Sequence, residues 1–301
     1  MTAPLSFGKI VVSNDKGVLI MSERIKKNTI LSSLILFAVL LFVHGFEIIV
    51  LRMDETALGE NCINKFFGII VMFLVLYILG WKLEDIGFKK SGFIKNVMLG
   101  FLLAACSFVI SYAAEIMILK GNGNDVKLGI FTTSFSLTGD TEIHTGVSFI
   151  LVCVFFNIIN VIMEEGTFRG LFDKIIRIDH SSKCALMFQA ALFGVWHIVT
   201  PLHNLVDGDI NLAGFIGLSI GYIILAGMMG IKWGLLQKMT GSLYAGMADH
   251  FFNNCIATNL LHVTTSSGID EMMIVRVMIA QLLSFIFIVV LWNVKGKKVA
   301  G

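Results

Sequence analysis

Long apolar runs that alternate with short charged loops restrict the fold of this chain more than any other feature of its sequence. A helix that crosses a hydrocarbon core about 30 Å thick needs about 20 predominantly apolar residues. The runs that approach this length are approximately Thr29–Val50, Phe66–Trp81, Ile94–Leu119, Val147–Arg177, Ser182–Thr200, Leu212–Lys238, Ser242–Leu261 and Met272–Trp292. They predict an all-α, polytopic membrane protein with about eight transmembrane helices. The fourth and sixth runs exceed what a bilayer requires, so we expect each to continue as an amphipathic helix at the cytoplasmic surface.

Composition excludes several other classes of protein. Charged residues make up 15% of the chain and hydrophobic residues 56%, whereas soluble domains carry about 25% charged residues. The net charge of +2 has no basic stripe behind it, which argues against a nucleic-acid-binding domain. The five cysteines show no paired spacing, so neither a disulfide framework nor a cysteine zinc site is expected.

Lysine and arginine residues predict that both termini are cytoplasmic. With the N-terminus inside, sixteen of them fall on the inner side and five on the outer side, as the positive-inside rule requires. The inner set is Arg24, Lys26, Lys27, Lys82, Lys89, Lys90, Lys95, Arg169, Lys174, Arg177, Lys183, Lys232, Lys238, Lys295, Lys297 and Lys298. The outer set is Arg52, Lys65, Lys120, Lys127 and Arg276.

The predicted spans divide the chain into three membrane parts after a short leading segment. Residues 21–144 hold the first three spans, residues 145–262 hold spans four to seven, and residues 263–301 hold the eighth span and a basic tail. Residues 1–20 contain no continuous apolar stretch. Codons for Lys16-Gly17-Val18 can form a bacterial ribosome-binding sequence ahead of Met21, so we expect synthesis to start at Met21 and residues 1–20 to be a non-native extension.

Ionisable side chains inside apolar spans cost about 2.5–3.5 kcal/mol each at a helix centre, so each one needs a physical reason. Seven lie near predicted span ends or loops and are interpreted as structurally incidental: His44, Glu47, Glu115, His144, His180, His203 and His262. Six polar residues in the fourth, fifth and seventh spans predict a site: Glu164, Glu165, Arg169, His197, His250 and Asn254. The alternative interpretation is a polar network that only holds three helices together.

Helical spacing separates the expected roles of the two neighbouring glutamates. Glu165 and Arg169 are an i, i+4 pair, which predicts an internal ion pair. Glu164 and Arg169 are offset by about 140° around the helix, so Glu164 is left free for chemistry. His250 and Asn254 are also i, i+4, and we expect them to direct two hydrogen-bond donors to one point.

Distance from the turn near Asp179–Ser181 also predicts that Glu164 and His197 lie at a similar depth in the membrane. The residues expected on the same helix faces are Asn157 and Asn160 beside Glu164, and Gln189 and Phe193 beside His197. The first of these faces is expected to line a wet cavity.

Three short motifs in this region resemble those of a known family. Residues 164–170, Glu-Glu-Gly-Thr-Phe-Arg-Gly, have the form EExxFRG. Residues 193–197 have the form FxxxH, and residues 250–254 have the form HxxxN. Together and in this order they resemble the CPBP family of CAAX proteases and bacteriocin-processing enzymes, which includes the type II CAAX prenyl endopeptidase. The resemblance covers about residues 145–262.

The resemblance implies an eight-helix intramembrane peptidase and a role for each matching residue. Glu164 would activate the attacking water, and His197 would assist that water or bind a metal. His250 and Asn254 would stabilise the tetrahedral oxyanion, while Glu165 and Arg169 would support the geometry. Members are commonly called metalloproteases, so a zinc ion held by Glu164, His197 and His250 and a metal-free glutamate mechanism both stay open.

The partners implied are membrane lipid and a peptide or protein substrate, with no nucleic acid and an open oligomeric state. The expected location is the bacterial plasma membrane, as a multi-pass protein, and small membrane peptides such as bacteriocin precursors are the family-based substrate. Two alternatives compete with the peptidase. One is a non-enzymatic immunity or scaffold protein with the same fold. The other is a transporter or proton relay, for which inverted repeats or broken helices are expected and none is visible in the sequence.

Overall fold

The computed structural model describes residues 16–53, 61–133 and 143–299, with side chains to residue 294. Its helices in chain order are α1 (Lys16–Lys27), α2 (Thr29–Phe46), α3 (Ile63–Leu79), α4 (Phe93–Gly121), α5 (Val147–Glu164), α6 (Asp173–Ile176), α7 (Ser182–Trp196), α8 (Val199–Val206), α9 (Leu212–Thr240), α10 (Tyr244–Phe251) and α11 (Met273–Val299). Three wider π-helical segments follow helices without a break, Glu47–Leu51 after α2, Glu165–Phe172 after α5 and Phe252–Thr258 after α10. A short 3₁₀ turn occupies Leu83–Ile86. Residues 1–15 of the predicted N-terminal extension lie outside the described residues.

Six helical stretches of the described residues are long and apolar enough to cross a membrane: Thr29–Leu51, Phe93–Gly121, Val147–Ile176, Ser182–Val206, Leu212–Thr240 and Met273–Val294. They confirm the predicted all-α polytopic class. α3 is apolar but shorter, and the predicted seventh span is divided between α10 and its π-helical segment. A total of eight crossings and the cytoplasmic position of both termini stay predictions.

Two strands outside the helical bundle form an antiparallel pair. β1 (Lys127–Ile130) aligns with β2 (Leu261–Thr264), with Lys127 opposite Thr264. β1 lies in a predicted loop, and β2 begins at the end of the predicted seventh span. The strand pair therefore joins the loop after α4 to the chain that leaves the π-helical segment Phe252–Thr258.

The main core lies where the segment Glu165–Phe172, α7 and α9 meet. Its largest buried side chains are aromatic, and Phe168 has its ring centre 5.1 Å from that of Phe193 and 5.8 Å from that of Trp196. α9 approaches α7 closely because it carries glycine at the crossing. A Cβ atom on Gly230 would lie 3.0 Å from the Cα of Ala190, so only a residue without a side chain fits there.

Most residues in the later parts of the fourth and sixth predicted spans are buried, although the terminal Arg177 is exposed and Lys238 half-buried, so the expected surface extensions are much shorter than predicted. Every residue from Met163 to Asp173 is buried. In α9, Lys232 and Trp233 are fully buried. Arg169, Lys232 and Arg276 are therefore interior charges rather than loop charges. The positive-inside bias persists without these three residues.

Two glutamates interpreted from the sequence as structurally incidental are buried and hydrogen-bonded to other segments of the chain. Glu47 accepts hydrogen bonds from the backbone N–H groups of Ile63 and Asn64 at 2.7 and 2.5 Å. It thereby ties the end of the first span to the start of α3. Glu115 accepts a hydrogen bond from Arg276 at 2.8 Å. No disulfide bond links any two of the five cysteines, all of which lie in the described part of the chain.

Candidate active site

Two of the π-helical segments carry residues of the predicted site. Glu165 and Arg169 lie in the segment after α5, and Asn254 lies in the segment after α10. In a π-helix the backbone hydrogen bonds run from i to i+5, a rare geometry that occurs frequently at functional sites. Both segments begin next to a motif residue. The first follows α5, which ends at Glu164, and the second follows α10, which ends one residue after His250.

Glu164 has one carboxylate oxygen held and one without a partner. Its Oε1 accepts a hydrogen bond from the indole N–H of Trp196 at 3.1 Å. Its Oε2 is buried without a hydrogen-bond partner among the described residues, and it lies 3.6 Å from Nε2 of His250. A buried acceptor without a partner is costly, so a water or substrate group is the expected occupant.

Glu165 accepts one hydrogen bond, and its other carboxylate oxygen lies in a buried ion pair without a hydrogen bond among the described residues. Its Oε1 accepts a hydrogen bond from Nδ1 of His250 at 2.9 Å, and its Oε2 lies 3.4 Å from Nε of Arg169. The guanidinium carbon of Arg169 lies 3.7 Å from the centre of the Phe193 ring, a cation–π contact. The structure thus contains the ion pair that helical spacing predicts. The carboxylates of Glu164 and Glu165, although adjacent in the chain, contact different partners.

His197 has a defined tautomer. It follows the last residue of α7, and its Nδ1 lies 2.8 Å from the carbonyl oxygen of Phe193. A carbonyl oxygen only accepts, so Nδ1 carries a proton, and in the neutral ring Nε2 is left as an acceptor. The Phe193 ring contacts the His197 ring, with centres 4.7 Å apart, and also the His250 ring, with centres 6.2 Å apart, which places His197 in the same site.

His250 lies between Glu165 and Asn254. One face of its ring stacks on Trp233 with ring centres 4.1 Å apart. Its Nε2 lies 3.1 Å from Nδ2 of Asn254, so the two side chains contact each other, whereas the sequence predicted two donors directed to one point. The structure therefore brings together all six residues predicted from the sequence.

The predicted companions of these residues behave differently. Asn157 donates from Nδ2 to the backbone oxygen of Cys153 at 2.9 Å, within its own helix, and Asn160 is half-buried. Gln189 donates from Nε2 to the carbonyl oxygen of Gly230 at 3.0 Å. These contacts hold helices in place, and the polar face expected to line a wet cavity is reduced to Glu164 and Asn160.

The residues present do not fit a zinc ion in this arrangement. Within residues 16–53, 61–133 and 143–299, no three His, Cys, Asp or Glu side chains are arranged to hold a metal. Both ring nitrogens of His250 already face a protein partner, Glu165 on one side and Asn254 on the other. A zinc ion at His250 would have to displace one of these contacts.

Residues 146–256 match the family model described as type II CAAX prenyl endopeptidase Rce1-like. This part of the chain is similar to that family. The match contains all three motifs, confirms the predicted family and supports a CAAX-type intramembrane endopeptidase. Comparisons with curated proteins and with solved structures gave no match.

Several residues that touch the site were missed by sequence reasoning. Within the Rce1-like region these are Trp196 and Trp233, which contact Glu164 and His250. Tryptophan in an apolar span carries no signal that separates such a role from packing. Outside the region, His44 stacks on Trp196 with ring centres 4.1 Å apart, although it was interpreted as incidental.

Lys232 was predicted to lie on the cytoplasmic side of the membrane, but it is buried inside the protein. Lys232 lies 2.5 Å from Oδ2 of Asp249, the residue before His250. A lysine near the end of an apolar run and an aspartate next to a motif histidine were the signals available in the sequence. They are separated by 17 positions and on different helices, so spacing alone does not pair them.

Proposed function

We propose that this protein is an intramembrane endopeptidase that hydrolyses peptide bonds of membrane-associated peptides or proteins with a water activated by Glu164. The observation that carries the proposal is the state of the Glu164 carboxylate. One oxygen is held by Trp196, and the other is buried, without a hydrogen-bond partner among the described residues, and directed toward His250. A general base needs a carboxylate oxygen of this kind within reach of water.

In the proposed reaction Glu164 removes a proton from the water. At the same time the water oxygen forms a bond to the carbonyl carbon of the substrate. His197 presents an unprotonated Nε2, since its Nδ1 proton is donated to Phe193, and this nitrogen orients the water as an acceptor. The carbonyl oxygen gains the negative charge. When the C–N bond breaks, the proton held by Glu164 moves to the leaving nitrogen.

The negative charge on the carbonyl oxygen is stabilised by the amide of Asn254, which His250 holds in place. The amide of Asn254 is held at one end by His250 and at the other by Asn253, so its position is preorganised. A donor fixed at a developing oxyanion contributes about 2.7–4 kcal/mol to transition-state stabilisation. Glu165 and Arg169 act indirectly, because they hold His250 and the helix in place.

The proposed substrates are small hydrophobic membrane peptides, with bacteriocin precursors as the example that the family suggests, and the proposed location is the bacterial plasma membrane. The site lies among membrane-spanning helices, and a polar segment pays a higher cost than an apolar one to leave water and enter there. No step requires a metal, in line with the poor fit of the site residues to zinc.

The test is cleavage of a fluorogenic library of hydrophobic peptides by the purified protein in liposomes, before and after a chelator wash. We expect wild-type protein to cleave in both states and Glu164→Gln to lose cleavage by at least about 10²-fold, the contribution typical of general-base catalysis. Glu84→Gln is the matched control, since Glu84 is exposed.

Cleavage by Glu164→Gln at the wild-type rate would overturn the proposal. Loss of activity together with one tightly held zinc per chain would instead overturn the metal-free mechanism while leaving a peptidase. Absence of cleavage in every variant, including wild type, would favour the non-enzymatic immunity or scaffold protein.

A further inference from the structure

A continuous series of buried side-chain hydrogen bonds leads from α9 through α11 to the motif residues. Lys232 donates to Oε1 of Gln281 at 2.6 Å, and Gln281 donates from Nε2 to Oδ1 of Asn253 at 2.8 Å. Asn253 donates from Nδ2 to Oδ1 of Asn254 at 2.7 Å. Asn254 then presents Nδ2 to Nε2 of His250 at 3.1 Å. We call these five residues and the bonds between them the amide relay.

Lys232 gives the amide relay a direction, because an ammonium group has three donors and no acceptor. Three acceptors surround it: Oδ2 of Asp249 at 2.5 Å, Oε1 of Gln281 at 2.6 Å and Oγ of Ser284 at 3.0 Å. The Ser284 hydroxyl donates its own proton to the carbonyl oxygen of Ala280, so its oxygen is available as an acceptor. Three donors meet three acceptors, which is the match expected of a charged lysine beside a carboxylate.

Each amide passes this direction to the next, since a primary amide offers an acceptor on one side and donors on the other. Gln281 must turn its oxygen to Lys232, so its NH₂ faces Asn253. Asn253 must then accept from Gln281 and donate to Asn254. The orientation of an amide is ordinarily ambiguous, but here the charge at Lys232 determines all three amides in turn.

The end of the relay determines the protonation of His250. Asn254 turns its NH₂ to Nε2 of His250, so Nε2 must accept and carries no proton. The opposite nitrogen, Nδ1, faces the Glu165 carboxylate at 2.9 Å, and a carboxylate only accepts. Both ends therefore require the neutral ring protonated on Nδ1. Oε2 of Glu164 lies farther from Nε2, at 3.6 Å, beyond ordinary hydrogen-bond range.

We infer that Lys232, Gln281 and Asn253 are positioning residues that hold His250 in its neutral Nδ1–H form and direct the second N–H of Asn254 into the site. This N–H has no acceptor among the residues that the structure describes. In the resting site the donor available to an oxyanion is accordingly Asn254, while His250 serves as its acceptor, which refines the expectation of two donors. What this donor does in catalysis rests on the proposed function, whereas the protonation state of His250 does not.

The experiment is ¹⁵N NMR of histidine-labelled protein in lipid bilayers, with the His250 signals assigned by their loss in His250→Gln. In wild-type protein we expect a protonated Nδ1 and an unprotonated, pyridine-type Nε2. Gln281→Glu places a carboxylate where Asn253 now receives a donor. Asn253 and then Asn254 should turn over, bring an oxygen to Nε2 of His250 and replace the pyridine-type signal with that of a doubly protonated ring.

Asn253→Asp gives an independent test with almost no change in volume, because its carboxylate accepts from Gln281 but does not donate to Asn254. It should produce the same change at His250. Asn122→Asp is the matched control, because it makes the same substitution at an exposed residue beyond the end of α4, and it should leave the His250 signals unchanged. Peptide cleavage measured in parallel should fall in the two relay variants and persist in Asn122→Asp.

A protonated Nε2 of His250 in the wild-type protein would overturn the inference. It is equally overturned if the His250 signals are the same in wild type and in a folded relay variant. These outcomes differ from a failure of the proposed function, because the spectra need no substrate. Protein that shows the expected signals but cleaves nothing would retain the relay and lose the peptidase.

Discussion

Glu164 and Glu165 are neighbours in the chain but occupy different chemical environments. Glu165 balances the buried Arg169 and accepts from His250. Glu164 has no lysine or arginine partner among the described residues and receives one hydrogen bond, from Trp196. A buried ion pair and a carboxylate with one unpartnered oxygen respond differently to the loss of charge.

Glu165→Gln should therefore destabilise the protein far more than Glu164→Gln. Removing one partner of a buried ion pair leaves an uncompensated charge and costs about 3–5 kcal/mol. An amide oxygen at position 164 still accepts from Trp196, so that variant should unfold close to the wild-type temperature. Thermal unfolding in detergent measures both, and equal stability of the two variants would contradict this separation.

Trp196 is the second residue whose effect is best argued alone, because its N–H holds the carboxylate that acts as base. Trp196→Phe keeps an aromatic ring beside His44 and Phe168 but removes the donor. A hydrogen bond to a charged group contributes about 1.5–3 kcal/mol, so we expect peptide cleavage to fall about tenfold or more with little loss of folded protein. Trp292→Phe is the control, since Trp292 is exposed on α11. Unchanged cleavage in Trp196→Phe would refute the assigned contact.

At the scale of elements, the crossing of α7 and α9 positions both sides of the site. α7 supplies Trp196 and leads into His197, while α9 supplies Trp233 and Lys232. The helices approach closely at Gly230, where backbone atoms of Ala190 occupy the space of a side chain. Small residues at such contacts let membrane helices pack without a polar driving force.

Gly230→Ala should accordingly destabilise the crossing. The added Cβ would lie 3.0 Å from the Cα of Ala190, and overpacking of this kind costs about 1–3 kcal/mol. Gly221→Ala, on the same helix, places its Cβ where nothing lies within 4 Å. That control should be neutral or slightly stabilising, because alanine favours a helix over glycine by about 1 kcal/mol. Thermal unfolding measures the stability of both variants. Similar losses of stability in the two would contradict this account.

At the scale of the whole molecule, three buried cations each have a carboxylate partner: Arg169 with Glu165, Lys232 with Asp249, and Arg276 with Glu115. Arg276 also reaches Asp270 at 3.0 Å and the carbonyl oxygen of Ala257 at 3.3 Å. Ala257 belongs to the π-helical segment that carries Asn254. This cluster therefore connects the region of the β1–β2 strand pair to the site.

The cluster predicts a pH dependence of stability. Burial alone would raise the pKa of Asp270, but hydrogen bonds from His262 and the Val263 N–H and the charge of Arg276 hold it below its usual 3.8. A lowered pKa contributes stability that is present above about pH 3.8 and is lost as the pH falls through the folded-state value. The stability advantage of wild type over Asp270→Asn should therefore shrink below about pH 4.

Asp270→Asn is a clean substitution, because Asp270 has a φ of 55° and asparagine tolerates this left-handed backbone. Asp125→Asn is the control, since both Asp125 and its partner Lys127 are exposed. Chemical unfolding at several pH values between about 3 and 7, a range that includes the usual pKa of carboxylates, measures the difference in unfolding free energy between wild type and Asp270→Asn. A stability gap that stays constant down to the lowest pH would contradict the assignment.

The sequence by itself determined the class of fold and the identity of the motif residues, because both depend on local spacing. Apolar run lengths predicted the membrane helices, and i, i+4 spacing paired Glu165 with Arg169 and His250 with Asn254. Those contacts span at most a few residues, so chain geometry alone brings them together.

Only the tertiary structure decided which distant groups complete the site. Trp196 reaches Glu164 across 32 positions, Lys232 reaches Gln281 across 49 and Arg276 reaches Glu115 across 161. Helical periodicity predicts which face of a helix a residue occupies, but it contains no information about which other helix covers that face. The interior position of Arg169 and Lys232 and the orientation of the Asn254 amide follow from helix packing, because burial makes each polar group depend on a partner that packing brings within reach.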